Sequence, residues 1–298
     1  MPELRNGLAL NPAEAAQKIC TFISDKVTGA KARGVVVGIS GGLDSAVVAF
    51  LCVRALGPER VTGLFLPERD TAPESAGDAR SVAEKTGIAL DTIDLTPALT
   101  ALGCYSGKVA STLKNKIVGP IAFGFIKTTA RKSPFELTLA PESTVVKETV
   151  AFFRLKHRLR MCTLYHRAEK EGMLVAGCLN RTEQLTSFFV RYGDSAADLA
   201  PILPLYKTQV RALAAYLEVP QPIIDRPPSP DLIPSITDEM ALGVTYEVLD
   251  LILVGLESGM DHAGIASATG VAPDLVAKIK SIVSRAQTLK HDPPYPLL

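Results

Sequence analysis

The stretch Gly34-Val35-Val36-Val37-Gly38-Ile39-Ser40-Gly41-Gly42-Leu43-Asp44-Ser45 constrains this chain more than any other. Its first half is a short run of β-branched residues bounded by glycine, the pattern of a strand buried on both faces. Its second half opens an Ala/Val/Leu-rich stretch, residues 43–56, that reads as a helix. Between them, Gly41 and Gly42 let the backbone turn sharply and approach an anion closely. Successive N–H groups at a helix start favour phosphate, and Ser40 and Ser45 add hydroxyl donors. Asp44 would repel phosphate unless a divalent cation lay between them, so it is a candidate Mg²⁺ ligand. The Gly-Lys-Ser/Thr ending of a Walker A loop is missing. The competing interpretation is a glycine-rich strand-to-helix turn with a polar cap.

The flanking sequence repeats the strand–helix alternation. Residues 61–67, 88–95 and 173–178 read as strands, and 73–86 as a helix with Pro73 at its start and Gly87 just past its end. This alternation predicts an α/β fold: a doubly wound parallel sheet with right-handed crossovers, helices on both faces and the site at the strand C-termini. A long Arg/Lys-rich helix is expected over about 143–171, another over 207–217, and a mostly helical C-terminal part over 240–290. Residues 220–239 hold six prolines and read as a loop. Residues 96–142 keep no clean period. The stretch 103–142, with six basic residues and Phe123 and Phe125, reads as an inserted or mobile lid segment over the substrate, or else as a linker with solvated lysines.

Charge and cysteine content narrow the function classes. With 32 Lys+Arg against 31 Asp+Glu, the net charge of +1 argues against a general nucleic-acid binder. Cys20, Cys52, Cys104, Cys162 and Cys178 form no CxxC pair, so neither a disulfide framework nor a zinc site is expected. The N-terminal residues lack the pattern of a signal peptide, and no apolar run is long enough to span a membrane. A cytoplasmic location with no membrane partner is expected.

The strand–SGGxDS–helix unit resembles the pyrophosphate loop of the ATP-pyrophosphatase superfamily. An ordered series of further motifs resembles the NAD synthetase family within it. The series comprises Arg158-Leu159-Arg160-Met161-Cys162-Thr163-Leu164-Tyr165, then Asn180-Arg181-Thr182-Glu183, then Tyr192-Gly193-Asp194 with Asp198, Ala200 and Pro201. Leu205-Tyr206-Lys207-Thr208-Gln209-Val210 follows, and then Pro227-Pro228-Ser229 with Asp231, Pro234 and Thr237-Asp238-Glu239. The resemblance covers about 34–95 and 155–290 and implies a single domain over 1–298 of the adenine nucleotide alpha-hydrolase-like fold. It implies ATP-dependent amidation through an acyl-adenylate, with deamido-NAD as the carboxylate and ATP and Mg²⁺ as co-substrate and metal. Ser40, Gly41, Gly42, Asp44, Ser45, Lys207 and Ser229 would bind ATP, and Asp44 and Glu183 would hold Mg²⁺. Lys207 and Asp194 would be catalytic. Arg158, Asn180, Asp194, Asp198 and Asp231 would meet the substrate, with Asp194 or Asp231 capturing ammonium. Arg158 and Arg160 are two apart, so only one can face the ligand. The short chain leaves no room for a glutaminase, which implies free ammonia or a separate ammonia-supplying glutaminase, and a homodimer.

The pattern is broken at several positions. Arg154 stands where the family has Asn, Cys178 and Leu179 where it has Thr and Gly, Ser195-Ala196 where it has Gly-Gly, and Ile236 where it has Gln. These changes lie where the carboxylate would sit, and lost hydrogen bonds can reverse specificity. A paralogue acting on another carboxylate is therefore the first alternative. A non-catalytic scaffold and a DNA-binding module are others, the latter from the helix–turn–helix look of 261–285.

Overall fold

The computed structural model describes residues 2–106, 143–227, 238–286 and 294–297. The valine run forms β1 (Val35–Gly38) at the interior of a four-stranded parallel sheet with β2 (Val61–Phe65), β3 (Ala89–Thr92) and β4 (Leu174–Ala176). The order is β3-β2-β1-β4. Val35 pairs with Val61 on one side and with Leu174 on the other. Around the sheet run α1 (Pro2–Gly7), α2 (Pro12–Gly29), α3 (Leu43–Leu56), α4 (Ser75–Thr86), α5 (Thr96–Ala101), α6 (Thr144–Glu171), α7 (Arg181–Thr186) and α8 (Lys207–Tyr216). Then come α9 (Gln221–Ile224), α10 (Asp238–Leu242), α11 (Tyr246–Glu257), α12 (His262–Thr269) and α13 (Pro273–Ala286).

The period-2 pleat explains why this sheet needs cover on both sides. Val35, Val37, Ile39, Val61 and Phe65 point into one core with α2, α3 and α8. Val36, Leu64, Leu66 and Val175 point into the opposite core with α5 and α6. A third apolar cluster joins Leu4 of α1 to the C-terminal helices through Tyr246, Leu249, Ile252, Ile265, Val276, Ile279 and Ile282. The 262–286 pair thus buries the apolar side of its second helix. No helix among the described residues is long and apolar enough to cross a membrane.

The strands and helices read from sequence are present, each shortened by a residue or more except α3. The helices α1, α2, α5, α7 and α9 were not read. In α2, Asn11 accepts hydrogen bonds from the N–H groups of Ala13 and Glu14, at 3.1 and 3.3 Å, and Pro12 begins the first turn. Ile19, Ile23 and Val27 then share its buried face. In the nominally irregular 96–106 stretch, Pro97 sits in the first turn of α5, and Leu99 is fully buried. The proline-rich loop contains the single turn α9, because Pro222 falls at a helix start where its missing N–H costs nothing. Residues 107–142 and 228–237 lie outside the described residues, and with them the lid segment, Ser229 and Asp231.

Gly34 opens β1 against the backbone of the β2 lead-in. A Cβ there would lie 2.0 Å from the Arg60 carbonyl oxygen and 2.8 Å from its carbon. Backbone cannot swing aside as a side chain would. Gly34→Ala should therefore destabilise the fold by about 2–4 kcal/mol, measured by denaturant unfolding. A midpoint within error of the parent would show that this strand start has slack.

Candidate active site

β1 lies between β2 and β4, so chain connections leave its C-terminal end in opposite directions. This is the topological switch point, where open parallel sheets hold ligands. Two segments meet there: Ser40–Ser45 after β1 and Gly177–Glu183 after β4.

The first segment is a loop closed by its own hydroxyls. The Gly42 N–H donates to Ser40 Oγ at 3.1 Å, the Ser40 N–H to Ser45 Oγ at 3.2 Å, and Ser45 Oγ–H to the Gly42 carbonyl at 2.9 Å. Gly41 is held at φ +85°, and a Cβ there would lie 2.8 Å from the Ser75 carbonyl oxygen at the start of α4. Only glycine meets both conditions. The loop leads straight into α3, which places Asp44 in the first helical turn, 17% exposed.

The second segment is built around a capping box. Asn180, fully buried, accepts from the Glu183 N–H at 3.0 Å, and the Glu183 carboxylate accepts from the Asn180 N–H at 3.4 Å. The Asn180 amide also donates to Asp44 Oδ1 at 3.1 Å, joining the two segments. Lys207 completes the group from the first turn of α8. Its ammonium bonds Asp44 Oδ2 and lies 3.4 Å from Glu183 Oε1. A cation at a helix start opposes the macrodipole, and Lys207 is only 4% exposed. It is therefore not a solvated first-turn lysine: the two carboxylates hold it there.

These three groups are positioned by a residue that sequence reading missed. Asp250, fully buried in α11, accepts from Thr182 Oγ1 at 2.6 Å, from the Thr208 N–H at 2.9 Å and from Thr208 Oγ1 at 2.8 Å. Thr182 Oγ1 in turn accepts from the Lys207 N–H at 2.9 Å. One carboxylate thus ties the Glu183 helix to the Lys207 helix. Burial raises its pKa, and the hydroxyl and N–H donors and the Lys207 charge oppose that rise. The signal in the sequence was a lone acid inside the apolar run Val248-Leu249-Asp250-Leu251-Ile252-Leu253.

The other expected residues are placed as follows. Asp194 accepts from the Val190 N–H at 2.6 Å, faces His157 Nδ1 at 3.5 Å, and keeps its side chain 40% exposed. The Cys178 thiol lies close enough to this set that Asp44, Glu183 and Asp194 help burial hold its pKa well above the ordinary value. Asp198 accepts from the Val175 N–H at 2.7 Å and from Tyr165 Oη at 3.3 Å, so it is bound into the end of β4. Arg158 donates to the Arg191 carbonyl at 3.3 Å, whereas Arg160 donates to the Leu66 carbonyl at 3.2 Å. The two guanidiniums diverge, as their spacing requires.

A second buried polar group flanks the β2 exit. Lys156, fully buried, donates to Glu68 Oε1 at 2.9 Å and Asp70 Oδ2 at 2.8 Å, and Tyr105 Oη donates to Glu68 Oε2 at 2.6 Å. Sequence reading singled out none of these four residues.

Known proteins resemble this chain in sequence and in fold. The sequence profile of the NAD synthase family matches residues 15–118 and 126–294. An NH(3)-dependent NAD(+) synthetase of Coprothermobacter proteolyticus is 45% identical over 253 residues, 83% of this chain and 86% of that protein. Among solved structures, an NMN synthetase from Francisella tularensis has a TM-score of 0.71 at 28% identity, covering 97% of this chain and all of that one. An NH3-dependent NAD synthetase from Campylobacter jejuni has a TM-score of 0.67 at 26% identity, with the same coverage.

Removing the Lys207 charge leaves Asp44 and Glu183 facing each other. Lys207→Met should cost about 2–3 kcal/mol, short of the full penalty for a broken buried pair because both carboxylates still touch water. Millimolar Mg²⁺ should raise the melting temperature of the variant more than that of the parent, since a cation can stand in for the ammonium. Equal Mg²⁺ shifts in both proteins would show that the carboxylates do not form a cation seat.

Proposed function

The chain belongs to the NAD synthase family, and from that membership and the switch-point geometry we propose that it amidates a nucleotide-borne carboxylate. The reaction is deamido-NAD, ATP and ammonia to NAD, AMP and pyrophosphate. The observation that carries this reading is the joining of a phosphate-type loop after β1 to a carboxylate–lysine set after β4.

Family members use ATP as co-substrate. In this chain the Ser40–Ser45 backbone would receive the nucleotide phosphates, with the start of α3 directed at them. A substrate carboxylate oxygen attacks the α-phosphorus, and the bond to pyrophosphate breaks. This brings one anion onto another, so the site needs positive charge already in place. Lys207 supplies one such charge beside the loop. Ammonia then attacks the acyl carbon of the adenylate, AMP leaves with the bonding pair, and one proton is lost. Asp194, half-exposed and close to the same set, is the seat for ammonium.

The residues also fit Mg²⁺. Asp44 and Glu183 offer hard oxygen donors already gathered around a cation, the Lys207 ammonium. Two carboxylates and one ammonium leave the set net negative, which alone would repel a nucleotide. No group of three or more potential metal ligands occurs among the described residues. Mg²⁺ is commonly held by one or two carboxylates with phosphate oxygens and water, and Asp44 and Glu183 would be those two. When bound it would neutralise phosphate charge. The same reading takes the protein as a homodimer, supplied by free ammonia or by a separate glutaminase.

The neighbouring NMN synthetase supports a second reading, in which the carboxylate is carried on a mononucleotide. Cys178, Leu179, Ser195 and Ala196 adjoin the β4 exit where that choice would be made.

Two experiments test this. With ATP, Mg²⁺ and ammonium, deamido-NAD should yield NAD and AMP, faster than nicotinic acid mononucleotide yields its amide. Glutamine free of ammonia should not replace ammonium. Faster amidation of the mononucleotide would establish the second reading, and no AMP with either would defeat both. Separately, Asp44→Asn and Glu183→Gln should each lower pyrophosphate release about a hundredfold or more while the protein stays folded. Near-parent rates in either would remove that carboxylate from the chemistry.

A further inference from the structure

His157 follows the buried Lys156 on α6 but faces the other way, toward the turn that carries Asp194. That turn lies directly on it: a Cβ at Gly193 would come within 2.9 Å of His157 Cβ. Tyr192, just before, is held at φ +60°. The ring's Nδ1 lies 3.5 Å from Asp194 Oδ2. Its Nε2 is buried and has no hydrogen-bond partner among the described residues. Nothing in the reaction described above uses this ring.

The tautomer follows from these contacts. A proton on Nε2 would bury an unmet N–H and turn the bare Nδ1 toward a carboxylate. A proton on Nδ1 aims a donor at that carboxylate and leaves only a weak acceptor unmet. The second form is the favoured one. At 3.5 Å the contact is long for a hydrogen bond, as such contacts often are before ligands bind.

From this geometry, and resting on the reading of Asp194 as the ammonium seat, we infer that His157 is a positioning residue for the amidation step. In the ligand-bound enzyme its neutral Nδ1–H closes on Asp194 Oδ2, 3.5 Å away here, while the Val190 N–H already holds Oδ1 at 2.6 Å. The exposed lone pairs of the carboxylate are thereby aimed outward for one cation. When His157 takes a proton, Asp194 already has a cationic neighbour, and ammonium must compete with it. The charged groups around the ring are Asp194 from the turn, Arg160 and Lys156 on its own helix, and Glu68 from the β2 exit. Burial lowers the imidazole pKa below its ordinary value and outweighs the opposing pull of Asp194; Arg160 and Lys156 lower it further, and Glu68 opposes them. The ring is therefore neutral at neutral pH, and the competition appears only on the acid side.

The test uses the full chain with ATP, Mg²⁺ and deamido-NAD, and measures KM for total ammonium from about pH 8 to about pH 5.5. Asparagine can present an N–H near the Nδ1 position without titrating. The parent KM should rise severalfold more than that of His157→Asn across this range. The solution equilibrium between ammonium and ammonia is common to both and cancels. His157→Ala should raise KM for ammonium about tenfold at pH 8 with KM for ATP within about twofold, and Asn should restore most of that loss. A second readout needs no turnover. In the ¹⁵N spectrum of the parent, identified by its loss in His157→Asn, the ring should carry its proton on Nδ1. Ammonium chloride should lower its pKa relative to sodium chloride at equal ionic strength, since two cations on one carboxylate repel. Identical pH profiles for parent and His157→Asn, or a His157 pKa indifferent to ammonium, would overturn the inference and leave a packing histidine. A parent enzyme that forms no amide while its His157 pKa still responds to ammonium would instead overturn the proposed reaction.

Discussion

Lys207 and its two carboxylates are the contact on which the rest of this structure turns. Asp44 comes from the helix after β1, Glu183 from the short helix after β4 and Lys207 from the start of α8. None is a sequence neighbour of another. In a low-dielectric setting each charge alone would be costly, and together they are tolerable. The arrangement also sets where α8 can begin, because a buried lysine at a helix start is stable only where acids already wait. The catalytic layout and the packing of three helices are thus one problem with one solution.

That solution is fixed from behind by Asp250. Its carboxylate accepts from both Thr182 and Thr208, so the pitch of α7 relative to α8 is set by a residue in the C-terminal helices. Arg181 adds a two-pronged contact to Glu257 at 3.0 and 2.6 Å on the same helix. The parallel sheet alone would supply a crevice at the switch point. The helical cluster beyond it holds the two β4-side groups in register with the phosphate-type loop, and α1 closes that cluster from the N-terminal end. The chain therefore needs both parts to make one site.

The sheet was legible because each signal was local. A β-branched run between glycines marked β1, and short apolar runs at regular spacing marked the other three strands; Gly87 and Gly172 each close a helix in the left-handed conformation. The phosphate-type loop was legible for the same reason. Lys207, Glu183 and Asn180 could be named from ordered motifs, but not their mutual contact, which depends on how three loops converge. Asp250 was readable in principle as a lone acid in an apolar helix, and went unread because the sequence near it carries no glycine-rich or paired-acid mark. The Arg/Lys-rich helix α6 was legible as an element, but not the burial of Lys156 between Glu68 and Asp70, because charge runs usually mean solvent.

α6 shows why such an omission is instructive. A helix that packs one apolar stripe on a sheet repeats its apolar residues near 3.6. The later turns of α6 do so against β1 and β4, through Leu164 and Ala168, whereas in its earlier turns neighbouring positions meet different networks. Phe152 joins the apolar core beneath the sheet, Lys156 enters the acidic pair at the β2 exit, and His157 meets the Asp194 turn. Arg158 and Arg160 then hold the backbone of that turn and of the β2 exit, at Arg191 and Leu66 respectively. The β2 and β4 sides of the crevice are consequently braced by one rigid rod rather than by each other. A shift of that helix would move the Asp194 turn and the β2 exit together.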